Sequence, residues 1–340
     1  MIPRRMLAVA VLAAVSSPVI QFPAAAAFQL PTDNHALFEK GKEEKFFAGT
    51  TGQPWTSGTF GCVRSDGRQI HEGLDIRCLK RDRHGEPLDP VMATADGTVA
   101  YVNTKPSLSN YGKYIVLRHR IDGIEIYSTY AHLSELRPGV KSGQSVQAGE
   151  TIATMGRTAN TREGISKDRA HLHLELNLFI NDRFAGWYRK TFPGQRNDHG
   201  AWNGQNLVAV DPRPILIESH AQGEKFNLLR LIQNQTELCR VQVRATEFPW
   251  LNRYGVLVKA NSRTKGERVA GYEIAMNFNA IAFELIPRTP SEMRGREQFV
   301  LLSVNEAEQR KNPCRRLVAQ RGGRWELTSH GLNALELLTY

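Results

Sequence analysis

The sequence predicts a mainly all-β protein: an antiparallel β-sheet domain that carries the chemistry, followed by a second β-rich domain. Three observations predict it. Between Thr51 and about Ala185, short runs of β-branched and apolar residues alternate with glycine turns. Residues 186–216 are rich in Gly, Asn and Pro, a composition shift that marks a connector. From 217 onwards the strand-like runs resume. A chain of 340 residues is long enough for two cores, and 41% apolar with 23% charged residues are the proportions of a globular protein.

The elements follow in order. Arg4 and Arg5 precede an apolar stretch over 6–15, and Ala24 to Ala27 supply the small residues of a cleavage site, so residues 1–27 read as an export leader cut near Ala27. Ser16, Ser17 and Pro18 break that stretch too early for a membrane span, and no later segment is apolar enough to be one. The expected location is therefore outside the cytoplasm, periplasmic or extracellular. Residues 28–48 are polar and Lys-rich, and read as an N-terminal arm that is either a short helix or irregular. Residues 49–216 form the first domain, with strands at 97–102, 114–119, 123–128 and 151–154 and a tight turn at Asp122-Gly123. Its connector, 186–216, is expected to be extended and to end at Asp211-Pro-Arg-Pro214. Residues 217–340 form the second domain. Strands are expected at 239–243, 254–258 and within 272–286, a hairpin at Arg321-Gly-Gly-Arg324 and a short helix over 332–338.

The formal charge of +10 favours an anionic partner such as nucleic acid, a membrane surface or an acidic polymer. No basic run interleaves with aromatics and no nucleic-acid module is recognisable, so no nucleic-acid partner is expected. Four cysteines in an exported chain suggest disulfides, and pairing within each domain is the simplest connectivity: Cys62 with Cys78, Cys239 with Cys314. A zinc–thiolate site is the weaker reading, because no CxxC spacing occurs.

Three stretches carry chemistry: His71-Glu-Gly-Leu-Asp75, Tyr130-Ala-His132-Leu133 and His171-Leu-His173-Leu-Glu175. On a strand, His171 and His173 share a face with Cα atoms roughly 7 Å apart, which suits one imidazole on a metal and its neighbour reaching a water beside it. Asp75 lies four residues after His71, so an extended segment again puts both on one face. Two imidazoles and a carboxylate are the donor set of many catalytic zinc sites and leave the fourth position open. Each stretch alone is weak: H-x-H is commonly structural and H-x-x-x-D arises by chance. Their value is their co-occurrence in one domain. Glu175 shares the face of the two strand histidines and is either a partner orienting one of them or a solvated carboxylate. Tyr130 shares a face with His132 and is expected in the core. His119 reads as hydrogen-bonded or exposed, and His35, His84, His199, His220 and His330 read as surface residues.

At these residues the chain resembles the lysostaphin/LytM-type zinc endopeptidases of peptidoglycan, over roughly residues 67–180. His71-Glu-Gly-Leu-Asp75 is similar to the family's H-x-G-x-D motif, 91–101 to its V-x-A-x-x-x-G-x-V hairpin, and 110–119 and 127–134 to its central strands. Residues 146–156 resemble the glycine-turn segment before the final H-x-H. The resemblance implies an antiparallel sheet with a groove over the metal, Zn²⁺ held by His71, Asp75 and His173, His171 as general base, and His132 stabilising the tetrahedral intermediate. It implies peptidoglycan as the substrate. Two departures, the charged loop 77–90 containing Cys78 and the longer stretch 159–170, are expected to rim the groove, with a Cys62–Cys78 disulfide pinning the first. Two rival functions remain: a non-catalytic regulator that activates other wall hydrolases, and a general secreted metalloprotease. The segment 217–340 carries no recognisable family motif and is read as a module for attachment to the wall or to a protein partner, or as a cover over the groove.

Overall fold

The computed structural model describes residues 27–161 and 164–340. The leader, apart from Ala27, lies outside them, as do Arg162 and Glu163 in the second loop. The strands are Gly61–Arg64 (β1), Gln69–His71 (β2), Leu74–Arg77 (β3), Pro90–Met92 (β4), Gly97–Asn103 (β5), Lys113–Ile121 (β6), Ile124–Leu133 (β7), Glu135–Leu136 (β8), Ser145–Val146 (β9), Thr151–Thr154 (β10), His171–Phe179 (β11) and Leu207–Val210 (β12). They are followed by Cys239–Val243 (β13), Gly271–Met276 (β14), Ala282–Arg288 (β15), Phe299–Val304 (β16), Val318–Arg321 (β17) and Arg324–Leu327 (β18). The α-helices are Glu43–Phe46 (α1), Phe184–Thr191 (α2), Pro212–Gln222 (α3), Leu228–Gln233 (α4), Pro249–Arg253 (α5), Glu306–Lys311 (α6) and Ser329–Thr339 (α7). The architecture is thus mainly antiparallel β.

The main sheet has the order β12-β11-β7-β6-β5-β9, with β3 also paired to β11. Strand β11 organises it. Leu172, Leu174, Leu176 and Leu178 are fully buried on one face, each contributing roughly 2 kcal/mol of apolar burial. The alternate residues His171, His173, Glu175 and Asn177 take the other face and are buried as well. One edge of β11 is shared end to end by β3, opposite His171–Leu174, and β12, opposite Leu176–Phe179; β7 takes the other edge. The β6–β7 hairpin closes at Asp122 and Gly123, whose φ values of 51° and 79° are those a tight two-residue turn demands.

The C-terminal segment carries a four-stranded sheet, β15-β14-β13-β16, and the β17–β18 hairpin at Arg321–Arg324. It is fastened to the first sheet by buried polar contacts. The Tyr254 hydroxyl accepts from Phe179 N and donates to Glu125 O, and the Asn279 amide donates to Ala209 O at 2.7 Å. One hydrophobic cluster runs continuously from Phe28 to Leu338. No helix among the described residues is long and apolar enough to cross a membrane.

Four expectations need correction. Residues 28–48 contain the expected short helix, α1, but are not a polar arm: Phe28, Phe46 and Phe47 are buried in the main core, and Phe28 is hydrogen-bonded to the Ser219 hydroxyl through both its N–H and its carbonyl. The lysines of this stretch disguise its few, large apolar anchors. Residues 186–216 are not an extended connector but contain most of α2, strand β12 and the start of α3. Asp211 caps α3 by accepting from Arg213 N, with Pro212 at the first helical position, so Asp-Pro-Arg-Pro is a helix start. Residues 254–258 form no strand; Tyr254 ends α5 and a 3-10 turn follows.

The disulfide expectation also fails. Cys62 joins Cys314, and Cys78 and Cys239 are free and buried. Cys78 turns inward, its thiol directed at Lys80 O and the Asp89 carboxylate, while Cys239 is sealed inside the C-terminal sheet. Burial, joined for Cys78 by the Asp89 contact, pushes both thiols up to about 12, which leaves them unreactive.

Candidate metal centre

His71 ends β2, Asp75 lies in β3 and His173 in β11. Register brings two of them together, because Asp75 is the direct cross-strand partner of His173. Gly73 brings the third. A Cβ there would lie 2.3 Å from Leu174 O, so only glycine lets the His71–Asp75 turn close onto β11. The result is a triangle of donor atoms. His71 Nε2 is 3.0 Å from Asp75 Oδ1, His173 Nδ1 is 2.9 Å from the same oxygen, and the two nitrogens are 3.1 Å apart.

The far side of each ring is fixed. His71 Nδ1–H donates to Thr59 O at 2.8 Å, and His173 Nε2–H donates to Glu175 Oε1 at 2.9 Å. Glu175 is in turn held by the Tyr111 hydroxyl at 2.6 Å and the Asn177 amide at 2.8 Å. His171 Nδ1–H donates to Arg169 O at 2.5 Å, and His132 Nδ1–H to Thr158 O at 2.9 Å. An oxygen acceptor on one nitrogen requires the proton there and leaves a lone pair on the other. The second nitrogens of all four rings face one cavity of about 690 Å³, which Asp75 lines with them. His132 Nε2 carries a lone pair there, whereas His71 Nε2 and His173 Nδ1 also lie against Asp75 Oδ1, so a proton held between them must leave when a metal ion binds. Arg64 occupies the remaining oxygen of Asp75, with Nη2 2.6 Å from Oδ2.

Electrostatics favour a cation at the triangle. Burial alone would lower the pKa of His173, but its hydrogen bonds to Asp75 and Glu175 outweigh that and raise it to about 10. Burial likewise opposes ionisation of Asp75, yet His171 and His71 hold its carboxyl well below the usual range. His132 and His171 go the other way: burial lowers both, so both are neutral near pH 7.

His132 arrives by a backbone irregularity. Alternation along β7 would send it to the core face with Tyr130. Instead the β6–β7 register shifts between Lys113 and Ile115, and His132 has φ 63°. This bulge turns His132 onto the site face, its ring centroid 4.9 Å from that of His171. Tyr130 stays fully buried in the core, its hydroxyl accepting from Thr94 N, so the two residues do not share a face. Gly112, at φ 60°, makes room for the Thr158 carbonyl that orients His132: a Cβ would lie 2.2 Å from it.

Residues 69–183 match the model of peptidase family M23. The chain is 41% identical over 124 residues to an uncharacterized metalloprotease of Haemophilus influenzae, a region covering 36% of this chain and 22% of that protein. It is 35% identical over 104 residues to the murein hydrolase activator NlpD of Escherichia coli, covering 31% of this chain and 22% of the relative. The lipoprotein NlpD of Yersinia enterocolitica is 34% identical over 93 residues, which cover 27% of this chain and 84% of that protein. The chain belongs to peptidase family M23. It matches only about a fifth to a third of the first relatives' own length.

The donor set of this M23 chain fits zinc. A tetrahedral ion with ligands at about 2.0–2.1 Å separates neighbouring donors by roughly 3.3 Å, close to the observed edges. The loop 77–90 and the stretch 159–170 are braced on each other: Arg81 donates to Lys167 O at 2.7 Å, and Lys167 pairs with Glu86. Only the second supplies lining to the cavity, through Ile165 and Arg169.

Apart from His199, the other histidines fall as expected. His119 is buried and bonded to Asp96 O and the Ser128 hydroxyl; His35, His84, His220 and His330 are exposed, and His199 is half-buried against Tyr101. Sequence reading missed Tyr111, Asn177 and Arg64. Alternation from His171 through Glu175 reaches Asn177, so that one had a signal; Arg64 had none. Glu175 is a buried orienting partner, not a solvated carboxylate. Glu175→Gln is expected to weaken zinc binding about 10- to 100-fold, read by competition with a chelator of known affinity. Unchanged affinity would remove Glu175 from the site.

Proposed function

We propose that this chain is an exported, zinc-dependent endopeptidase that hydrolyses peptide crosslinks or stem peptides of bacterial peptidoglycan. The observation that carries this reading is the convergence of His71, Asp75, His173, His171 and His132 on one cavity, each ring fixed at its outer nitrogen by an oxygen acceptor and turning its other nitrogen inward. Membership of a peptidase family supports the reaction class. The name of the Escherichia coli relative, the positive charge and the leader-like N-terminus support a cell-wall substrate and an envelope location.

In this reading His71 Nε2, Asp75 Oδ1 and His173 Nδ1 hold the zinc. When bound, the ion supplies Lewis-acid polarisation of the scissile carbonyl and acidifies water in the cavity. His171, kept neutral by burial and aimed by Arg169 O, accepts the proton of the attacking water at Nε2 and returns it to the leaving amine. His132 stabilises the oxyanion only once it holds a second proton, because its neutral ring presents a lone pair at Nε2. Arg64, on the outer oxygen of Asp75, keeps that carboxylate ionised and pointed inward.

A second reading, a regulator that activates other wall hydrolases, is favoured by that same relative's name. Retention of all five residues favours the enzyme. Purified protein loaded with zinc and incubated with isolated peptidoglycan is expected to convert crosslinked muropeptide dimers into monomers. Unchanged dimers, together with stimulation of a separate hydrolase on mixing, would leave the regulator reading standing.

A further inference from the structure

We propose that Arg315 is a carboxylate-binding residue, set beside the metal centre by the Cys62–Cys314 disulfide, that positions the peptide substrate along the groove leading to the C-terminal segment. This rests on the peptidase reading of the site.

The cavity around the histidines does not end there. Gln69, Ile70, Glu72 and Tyr111 line both it and a second cavity of about 780 Å³, whose far wall comes from Cys314–Leu317 and α7. Arg315 stands in that wall, next to Cys314. The disulfide joins it to β1, which pairs with β2, the strand that carries His71. The Cys314 N–H also donates to Cys62 Sγ. Arg315 is therefore covalently held close to the strand that ends in a metal-site histidine.

Its guanidinium lacks a partner of its own. Among the described residues no hydrogen bond or ion pair engages it, and only the longer-range attraction of Glu72 offsets the cost of its partial burial. An arginine keeps its charge, so a partly dry wall leaves that charge under-satisfied until a ligand supplies an oxyanion. The other charges of the cavity point the same way. Arg68 and Arg316 add to Arg315, whereas Glu175 is occupied by His173, Tyr111 and Asn177, leaving Glu72 as the one uncommitted carboxylate. A planar guanidinium matches a carboxylate with two parallel N–H···O bonds, a geometry that a neutral carboxamide cannot repay. An extended peptide over the metal would run past β2 into this second cavity and bring a free carboxylate, from a side chain or a chain end, to Arg315.

The test is equilibrium binding to the full chain stripped of metal by chelation, so that nothing is cut. The ligands are a crosslinked muropeptide dimer with free carboxylates and the same dimer amidated at them. Amidation is expected to weaken binding about tenfold or more, the worth of a charge-assisted contact. Arg315→Gln should bind both dimers as the wild type binds the amidated one, and Arg315→Lys should retain part of the preference. Equal affinities for the two dimers in the wild type, no binding of either, or a preference undiminished in Arg315→Gln overturns the proposal. If Arg315→Gln does not fold, the wild-type pair and the lysine variant decide it. Cleavage is scored separately with the zinc-loaded protein: a chain that prefers the carboxylate dimer but cuts neither keeps this inference and loses the peptidase reading.

Discussion

Substitution of His173 by alanine is expected to abolish metal binding and peptidoglycan cleavage together, lowering kcat/KM by about ten-thousandfold or more. The ring supplies one of three donor atoms and also separates two buried carboxylates, Asp75 and Glu175, each 2% exposed. Its removal opens the triangle and leaves those charges facing a void, so a stability loss of about 3–5 kcal/mol is expected alongside the loss of zinc. His171→Ala is the necessary contrast. Its Nε2 lies 3.4 Å from Asp75 Oδ1 and is outside the donor triangle, so this variant should keep stoichiometric zinc while losing about 10²- to 10⁴-fold in kcat. Zinc content by atomic absorption and dimer loss by muropeptide separation are the two readouts. Full zinc and full activity in His173→Ala would dismiss the ligand set; zinc loss in His171→Ala would exchange the two roles.

Breaking the Cys62–Cys314 bridge should be the other large effect. It closes a loop with a sequence separation of 252, and loop-closure entropy for such a span is worth about 5 kcal/mol. Cys62→Ser with Cys314→Ser, or reduction of the wild type, is expected to lower Tm by on the order of 10 °C. It should also release Arg315 from the groove, weakening the carboxylate preference without removing zinc. Mass mapping of the unreduced protein after denaturation in alkylating agent should find the 62–314 linkage and alkylated Cys78 and Cys239. A linkage involving Cys78 would contradict the fold as described.

Much of the sheet was legible because its signals are local. Asp122-Gly123 dictates its own hairpin through positive φ, and Arg321-Gly-Gly-Arg324 does the same. Period-two alternation placed the leucines and histidines of β11 on opposite faces, and the helix expected at 332–338 lies within α7. Alternation failed at His132 because a bulge is a property of two strands together: neither β6 nor β7 alone says where the register slips. The polar count of residues 28–48 failed because burial depends on where a few phenylalanines land. The extended connector failed for a different reason: Asp211-Pro212, expected to end an extended segment, is a local helix start.

By itself the sequence determined the residue types of the centre, the strand face carrying His171 and His173, and the similarity of residues 69–183 to a peptidase family. Only the tertiary structure decided that Asp75 sits opposite His173, that Thr59, Thr158, Arg169 and Glu175 fix which nitrogen of each ring faces the cavity, and that Cys62 finds Cys314. The physical reason is common to all three. Periodicity and turn chemistry act between neighbours in the chain, whereas register, hydrogen-bond partners and disulfide geometry join atoms that sequence separation leaves unrelated until the core has packed.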